Sequence, residues 1–185
     1  METSTPSKID VTGKWAIDPA HTNIDFAVDH LVISRVNGSF EKFDGSISNE
    51  NGAFEDSQIE FRIDTASIST RNEMRDTHLK SDDFFNSEKF PHIQLRSSSV
   101  TQNGEGQYTL RGDLTIRDVT RPVEFDLKWG GMAKDGYGNT KMGFRARTEI
   151  DRFDYNLKWN QLTEAGGMTV GRKVEIVANL QFAKQ

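Results

Sequence analysis

The chain has 185 residues, 35% of them hydrophobic, with twelve phenylalanines, no cysteine and a net charge of −5. That length suits one domain, and the phenylalanines supply a large apolar payload. The missing cysteines exclude disulfides, thiolate catalysis and cysteine-rich zinc sites. The acidic balance argues against nucleic acid as the main partner, because phosphate binding asks for a basic face.

Residues 1–12 are polar and read as a flexible lead-in, leaving 13–185 as a single domain. The opening METSTPSKIDVTGKW has no apolar core of a signal peptide. No window approaches the roughly eighteen apolar residues of a membrane span. A cytoplasmic protein without stable membrane insertion is the expectation.

From there period-two alternation dominates. IDFAVDH puts Ile24, Phe26, Val28 and His30 on one face, and residues 36–47 read as one long, glycine-interrupted strand through Phe40 and Phe43. IEFRID aligns Ile59, Phe61 and Ile63, and HIQLR aligns Ile93 and Leu95. YTLRGDLTIR aligns Tyr108, Leu110, Leu114 and Ile116, while VEFDLKW aligns Val123, Phe125, Leu127 and Trp129. MGFRARTEI aligns Met142, Phe144, Ala146 and Ile150, and VEIVANLQF aligns Val174, Ile176, Ala178, Leu180 and Phe182. Asn51-Gly52, Asn103-Gly104 and residues 136–139 mark turns. One apolar face opposite one charged face is the mark of an antiparallel sheet buried on a single side. About eight or nine such strands at hairpin spacing predict a barrel or sandwich. Gly38, Gly45 and Gly112 interrupt strands and read as bulges or corner bends, with close ligand approach as the alternative.

Residues 70–86 break the alternation and predict helix. Thr70-x-x-Glu73 matches a capping box, Asp76 and Lys80 are spaced as a helix ion pair, and Ser81 with Asp82 and Asp83 reads as a second helix start. Phe90 before Pro91 is pushed to extended geometry, so a strand is expected from His92. Phe84, Phe85 and Phe90 are expected to plug a barrel end or pack beneath its strands. His78 and His92 share no recurrent ligand spacing, so no metal site is expected.

No nucleophile elbow, P-loop or dinucleotide fingerprint is present, and no cofactor is expected. DGYGN at 135–139 reads as a hairpin turn. His21 reads as a loop residue hydrogen-bonding toward a strand. His30 shares the face of Phe26 and Val28 and reads as a hydrogen-bonded core histidine, with an acid–base or ligand-contacting role as the alternative. Arg145 and Arg147 share a polar strand face, followed by Arg152 and by Arg172-Lys173. They read as a solvated face with cross-strand ion pairs, or else as holders of an anionic head group at a barrel mouth.

Three stretches carry a resemblance: WAIDPAHTNIDFAVDHLVISRVNGSFEKFDGSI (15–47), SISTRNEMRDTHLKSDDFFNSEKFPHI (67–93) and LRGDLTIRDVTRPVEF (110–125), continued by GFRARTEIDRFDYNLKWN (143–160). From Trp15 onward the chain resembles the YceI family, the lipocalin-like polyisoprenoid-binding proteins. It departs from that pattern at Thr22, where serine is common, and at Asp118 and Tyr155-Asn156, where a glycine is usual. The resemblance implies an eight-stranded antiparallel lipocalin-like barrel with a short helical insertion around residues 70–86, and a homodimer. It also implies an elongated apolar cavity for a long-chain lipid or isoprenoid ligand: a prenyl quinone, a prenyl pyrophosphate or a fatty-acid-like amphiphile. Strand phase nominates Phe26, Val28, His30, Phe40, Phe61, Ile63, Leu114, Phe125, Phe144 and Ile176 as candidate ligand-binding lining. A non-enzymatic carrier or store is the expected function. The alternatives are an enzyme or stress-response protein acting on an isoprenoid or quinone-like substrate through His30 or His78, and a protein-binding module.

Overall fold

The computed structural model describes residues 9–164 and 166–185. Alternation of apolar and polar residues becomes strands β1 (Gly13–Ile17), β2 (Asn23–His30), β3 (Ser34–Phe40), β4 (Phe43–Asn49), β5 (Gln58–Asp64) and β6 (Ile68–Ser69). A helix α1 (Glu73–Lys80) follows, then the longer strands β7 (His92–Gly104), β8 (Gln107–Ile116), β9 (Val119–Lys134), β10 (Thr140–Asp151) and β11 (Val170–Lys184). All named pairings are antiparallel.

The short β1 closes the barrel. It sets Trp15 opposite Ile47 of β4 and Ile17 opposite Phe182 of β11. The ring therefore runs β1-β4-β5-β7-β8-β9-β10-β11, eight strands, as expected. Closure of this size leaves an interior just wide enough for side chains or one small ligand. At the other end β11 moves across to β2, with Ile176 opposite Phe26, and β2 pairs with β3. There the residues after β6 fill the side of the barrel: Phe85 meets Phe40 edge-on at 5.9 Å. Arg117, in the β8–β9 turn, donates to the carbonyls of Asp82 and Phe84 at 2.9 and 2.8 Å.

Several local expectations are corrected. The predicted single strand 36–47 is two strands, broken at Glu41-Lys42. Backbone hydrogen bonds turn away there, from Glu41 N–H to the Ser67 carbonyl and from Asp64 N–H to the Lys42 carbonyl. The bend lets one stretch serve β2 at one end and β1 and β5 at the other. Gly38 and Gly45 are neither bulges nor corners. They stand in regular register opposite Phe26 and Phe61. The phenyl rings lie across them, so that a Cβ on Gly45 would come within 2.7 Å of Phe61 Cζ. Gly112 alone keeps the bend reading, beside the β7 register shift after Ser97.

The helix begins one cap later than predicted. Asn72, not Thr70, caps it, its side-chain oxygen accepting from Arg75 N–H at 3.0 Å. Thr70 is held by Asp76, which accepts from both its N–H (2.8 Å) and its hydroxyl (2.6 Å). Asp76 is thereby engaged away from Lys80. No second helix starts at Ser81: its hydroxyl donates to the His78 carbonyl at 2.6 Å and its own carbonyl closes two turns, to Phe84 and Asn86 N–H. Asp82 pairs with Arg117 at 3.1 Å and Asp83 with His78 at 2.8 Å.

Of the predicted lead-in, residues 1–8 lie outside the described residues. Val11 is fully buried, and its carbonyl accepts from the Trp15 indole at 2.9 Å. The three departures from the family pattern are absorbed locally. Thr22 Oγ1 accepts from Gln181 N–H at 3.0 Å. The turn before β9 puts positive φ on Arg117 (55°) rather than on Asp118. Asn156 adopts φ 60°, a left-handed conformation that asparagine tolerates better than most residues.

Asp18 ties the start of the barrel to β10 and β11. Lys141 Nζ and His21 Nδ1 both lie 2.9 Å from its Oδ2, and Ala20 N–H donates to Oδ1. These bonds hold its carboxyl at about 2, against an ordinary 3.8. A depressed carboxyl stabilises the fold above its unfolded pKa and loses that contribution as pH falls through the folded value. Asp18→Asn should therefore cost about 1–2 kcal/mol at pH 6, and the difference should shrink toward zero near pH 2. Urea midpoints of both proteins at the two pH values check this.

Candidate functional site

The barrel encloses a cavity of about 690 Å³. Protein interiors are ordinarily packed without voids much larger than a water molecule, so an apolar cavity of this size is itself a structural feature. All ten lining candidates border it: Phe26, Val28 and His30 from β2, Phe40 from β3, Phe61 and Ile63 from β5, Leu114 from β8, Phe125 from β9, Phe144 from β10 and Ile176 from β11. Strand alternation places them there, since the side chains on one face of each strand share one phase, both in the eight barrel strands and in β2 and β3 beside them.

Aromatic rings seal one end. Phe54 stacks on Phe144 (centroids 4.7 Å, 22° between planes) and meets Tyr108 edge-on at 4.9 Å, and Phe61 meets Phe182 edge-on at 6.0 Å. Phe54 lies in a 3-10 turn (Phe54–Asp56), off the strand pattern, so periodicity could not nominate it.

The opposite end is polar and reaches the surface. His30 pairs in register with Val170, and both border the cavity. From α1, Met74, Arg75 and His78 also border it, with Trp159 from the loop before β11. His78 stands four residues after Met74 and three after Arg75, the spacing of neighbours on a helix surface and the signal by which sequence could have found them. The His78 ring lies edge-on to Trp159 at 4.7 Å and to Phe84 at 5.2 Å, while its Nε2 faces Asp83 Oδ2. Arg75 donates to Thr70 through Nε (2.7 Å, to the hydroxyl) and Nη2 (2.8 Å, to the carbonyl). Phe84 and Phe85 border the cavity, whereas Phe90 sits under the cations of Lys89 and Arg117, each 5.4 Å from its ring.

The arginines divide. Arg147 pairs with Glu175 at 3.2 Å and Arg172 with Asp151 at 2.7 Å, so these two make cross-strand ion pairs. Arg152 is buried and builds the mouth. Its guanidinium donates to the carbonyls of Gly171 (2.7 Å), Leu157 (2.6 Å), Trp159 (2.8 Å) and Val170 (3.1 Å). Burial lowers its pKa, though an arginine stays charged at neutral pH. His92 lies opposite Asp64 in the β5–β7 register, on a different element from His78. Among the described residues no three histidine, aspartate or glutamate side chains gather as a metal-binding set. No described helix is long and apolar enough to cross a membrane.

A family model described as a YceI-like domain matches residues 15–182. The UPF0312 protein SA2479 of Staphylococcus aureus is 35% identical over 170 residues, covering 91% of this chain and 96% of that protein. The crystal structure of Burkholderia cenocepacia BcnA superimposes with a TM-score of 0.76 at 20% identity, covering 89% of this chain and 98% of that one. The Campylobacter jejuni YCEI protein gives 0.72 at 26% identity, covering 85% and 90%. A polyisoprenoid binding domain from Saccharophagus degradans gives 0.70 at 13% identity, covering 92% and 98%.

Proposed function

The chain belongs to the YceI-like domain family, and from that premise we propose that it binds a long-chain amphiphile and carries or stores it without chemical change. The observation that carries the reading is the cavity: about 690 Å³, walled by aliphatic and aromatic side chains, with His30, Arg75 and His78 among its few polar lining groups. A small number of placed polar groups in an otherwise apolar pocket is how ligand sites fix orientation. The tail would lie among Phe26, Phe61, Phe125 and Ile176, and the head would sit near His30, Arg75 and His78. Each methylene moved from water into such a lining gains about 0.8 kcal/mol, less the costs of ordering and association. Tight binding therefore needs no catalytic group.

Isoprenoid tails are the favoured class, in keeping with the ligand named for the Saccharophagus degradans domain; fatty-acyl tails are the second. The reading also includes the homodimer, which sedimentation velocity checks. An acid–base role for His78 is favoured only by its contact with Asp83 at the mouth. The expected result is that native mass spectrometry or organic extraction of freshly purified protein yields a bound amphiphile, or that the emptied protein takes up prenyl or fatty-acyl probes. Absence of both sinks the carrier reading. The same ligand, chemically unchanged, on the parent and on His78→Ala and His30→Ala variants removes the enzymatic one.

A further inference from the structure

We infer that the tip of the β2–β3 hairpin, Leu31–Ile33, is a docking element that seats the cavity mouth on an anionic lipid bilayer. The inference rests on the carrier reading in that docking serves exchange of the cargo.

The first support is a double cost at one turn. Tight hairpin turns that need positive φ normally take asparagine or glycine, yet Leu31 and Val32 hold φ of 54° and 64°. Positive φ is a genuine outlier for a β-branched residue. Val32 and Ile33 are also 85% exposed, and Leu31 41%. Backbone strain at Leu31 and Val32 and exposed apolar surface across Leu31–Ile33 are both unfavourable in the free protein. Such strain points to a function realised with a partner.

The second is position. Leu31 N–H donates to the Thr169 carbonyl at 2.8 Å, and His30, Thr169 and Val170 all border the cavity. Met74, 85% exposed, borders it too, and Leu162, 72% exposed, bridges Met168 one residue before Thr169. The apolar patch thus frames the mouth through which an apolar tail must pass.

The third is charge. The chain as a whole carries −5, but segments 29–35, 70–80 and 157–173 hold seven basic side chains. Arg35 and Arg172 are taken up by Asp29, Glu175 and Asp151, which leaves Arg71, Arg75, Lys80, Lys158 and Lys173 against Glu73, Asp76 and Glu164. A bilayer with anionic head groups matches both halves of this surface, an apolar tip in the interfacial layer and cations at the lipid phosphates. A second copy of this chain, as acidic as the first, matches only the apolar half.

The test is flotation of the full chain with phosphatidylcholine vesicles, with and without phosphatidylglycerol, at low and high salt. The chain should float with the phosphatidylglycerol vesicles, and salt should weaken this. A Val32→Asp/Ile33→Asp variant should partition roughly tenfold less or lower. A Leu31→Asn/Val32→Gly variant suits the left-handed backbone, so it should be at least as stable as the parent and still lose vesicle association. A role confined to folding would move both properties together. Failure of the parent to float, or variants that float as it does, overturns the inference. So does a tip that proves to hold a dimer, with both variants becoming monomeric while vesicle binding is untouched. Uptake of a fluorescent prenyl probe without vesicles reads the carrier proposal alone. Uptake without flotation removes docking and keeps the carrier, and flotation without uptake does the reverse.

Discussion

Replacing Arg152 with alanine should cost about 3–4 kcal/mol of stability, because four buried or half-buried carbonyls lose their donor at once. Those carbonyls belong to Leu157, Trp159, Val170 and Gly171, so one guanidinium joins the end of β10 to the loop before β11 and to the first residues of β11. An unpaired buried carbonyl costs about 1–3 kcal/mol, and opening of the loop to water recovers part of the sum. Arg152→Lys should rescue little, since a compact ammonium cannot reproduce the planar fork that reaches four acceptors. Arg172→Ala is the control. Its ion pair with Asp151 is half-exposed, and such pairs contribute at most about 1 kcal/mol. Urea midpoints measure all three variants, and limited proteolysis should place the new cleavage of Arg152→Ala within residues 157–170. An Arg152→Ala midpoint as close to the parent's as that of Arg172→Ala would contradict the assignment.

Arg152 also shows where sequence reading stops. In the sequence it is one of several arginines near strand ends, indistinguishable from Arg145, Arg147 and Arg172. What sets it apart is the set of carbonyls that folding brings around it, from five to nineteen residues away. The strands behave differently. A period of two residues is a local property, and closing the barrel turns it into the position of a side chain. Phe26, Phe61, Phe125 and Ile176 therefore border the cavity as their phase implied. Phe54 and Trp159 border it as well, but from a turn and a loop, where no period exists to carry the information.

The helical insertion lies between these cases. Its place was legible because alternation fails across 70–86, but its caps were not. Thr70-x-x-Glu73 satisfies the capping-box pattern, and so does nothing to reveal that Asp76 reaches the Thr70 hydroxyl first or that Asn72 is free to cap. Gly38 and Gly45 misled for a similar reason. A glycine inside a strand looks the same in sequence whether the chain bends there or a phenylalanine across the sheet lies over it.

Ala178→Trp should abolish most ligand binding while leaving the fold intact. Ala178 and Ala146 face each other across β10 and β11 and both border the cavity, so the wall is recessed at this pair. An indole placed there enters the empty space rather than a packed neighbour. Overpacking costs typically follow from strain against filled surroundings. With a void to receive the ring, the change in stability should stay within about 1 kcal/mol and can be favourable. The ligand loses the volume the indole takes. Exclusion of two or three methylenes, at about 0.8 kcal/mol each, lowers affinity roughly fifteen- to fiftyfold. Asn179→Trp carries the same residue one position along β11, on the exposed outer face, and should leave affinity within about twofold of the parent. Titration of a prenyl probe into all three proteins reads the effect. Equal affinity for Ala178→Trp and the parent would place the ligand outside the barrel and leave the cavity without its proposed role. Loss of binding in Asn179→Trp alone would move the site to the outer wall of β11.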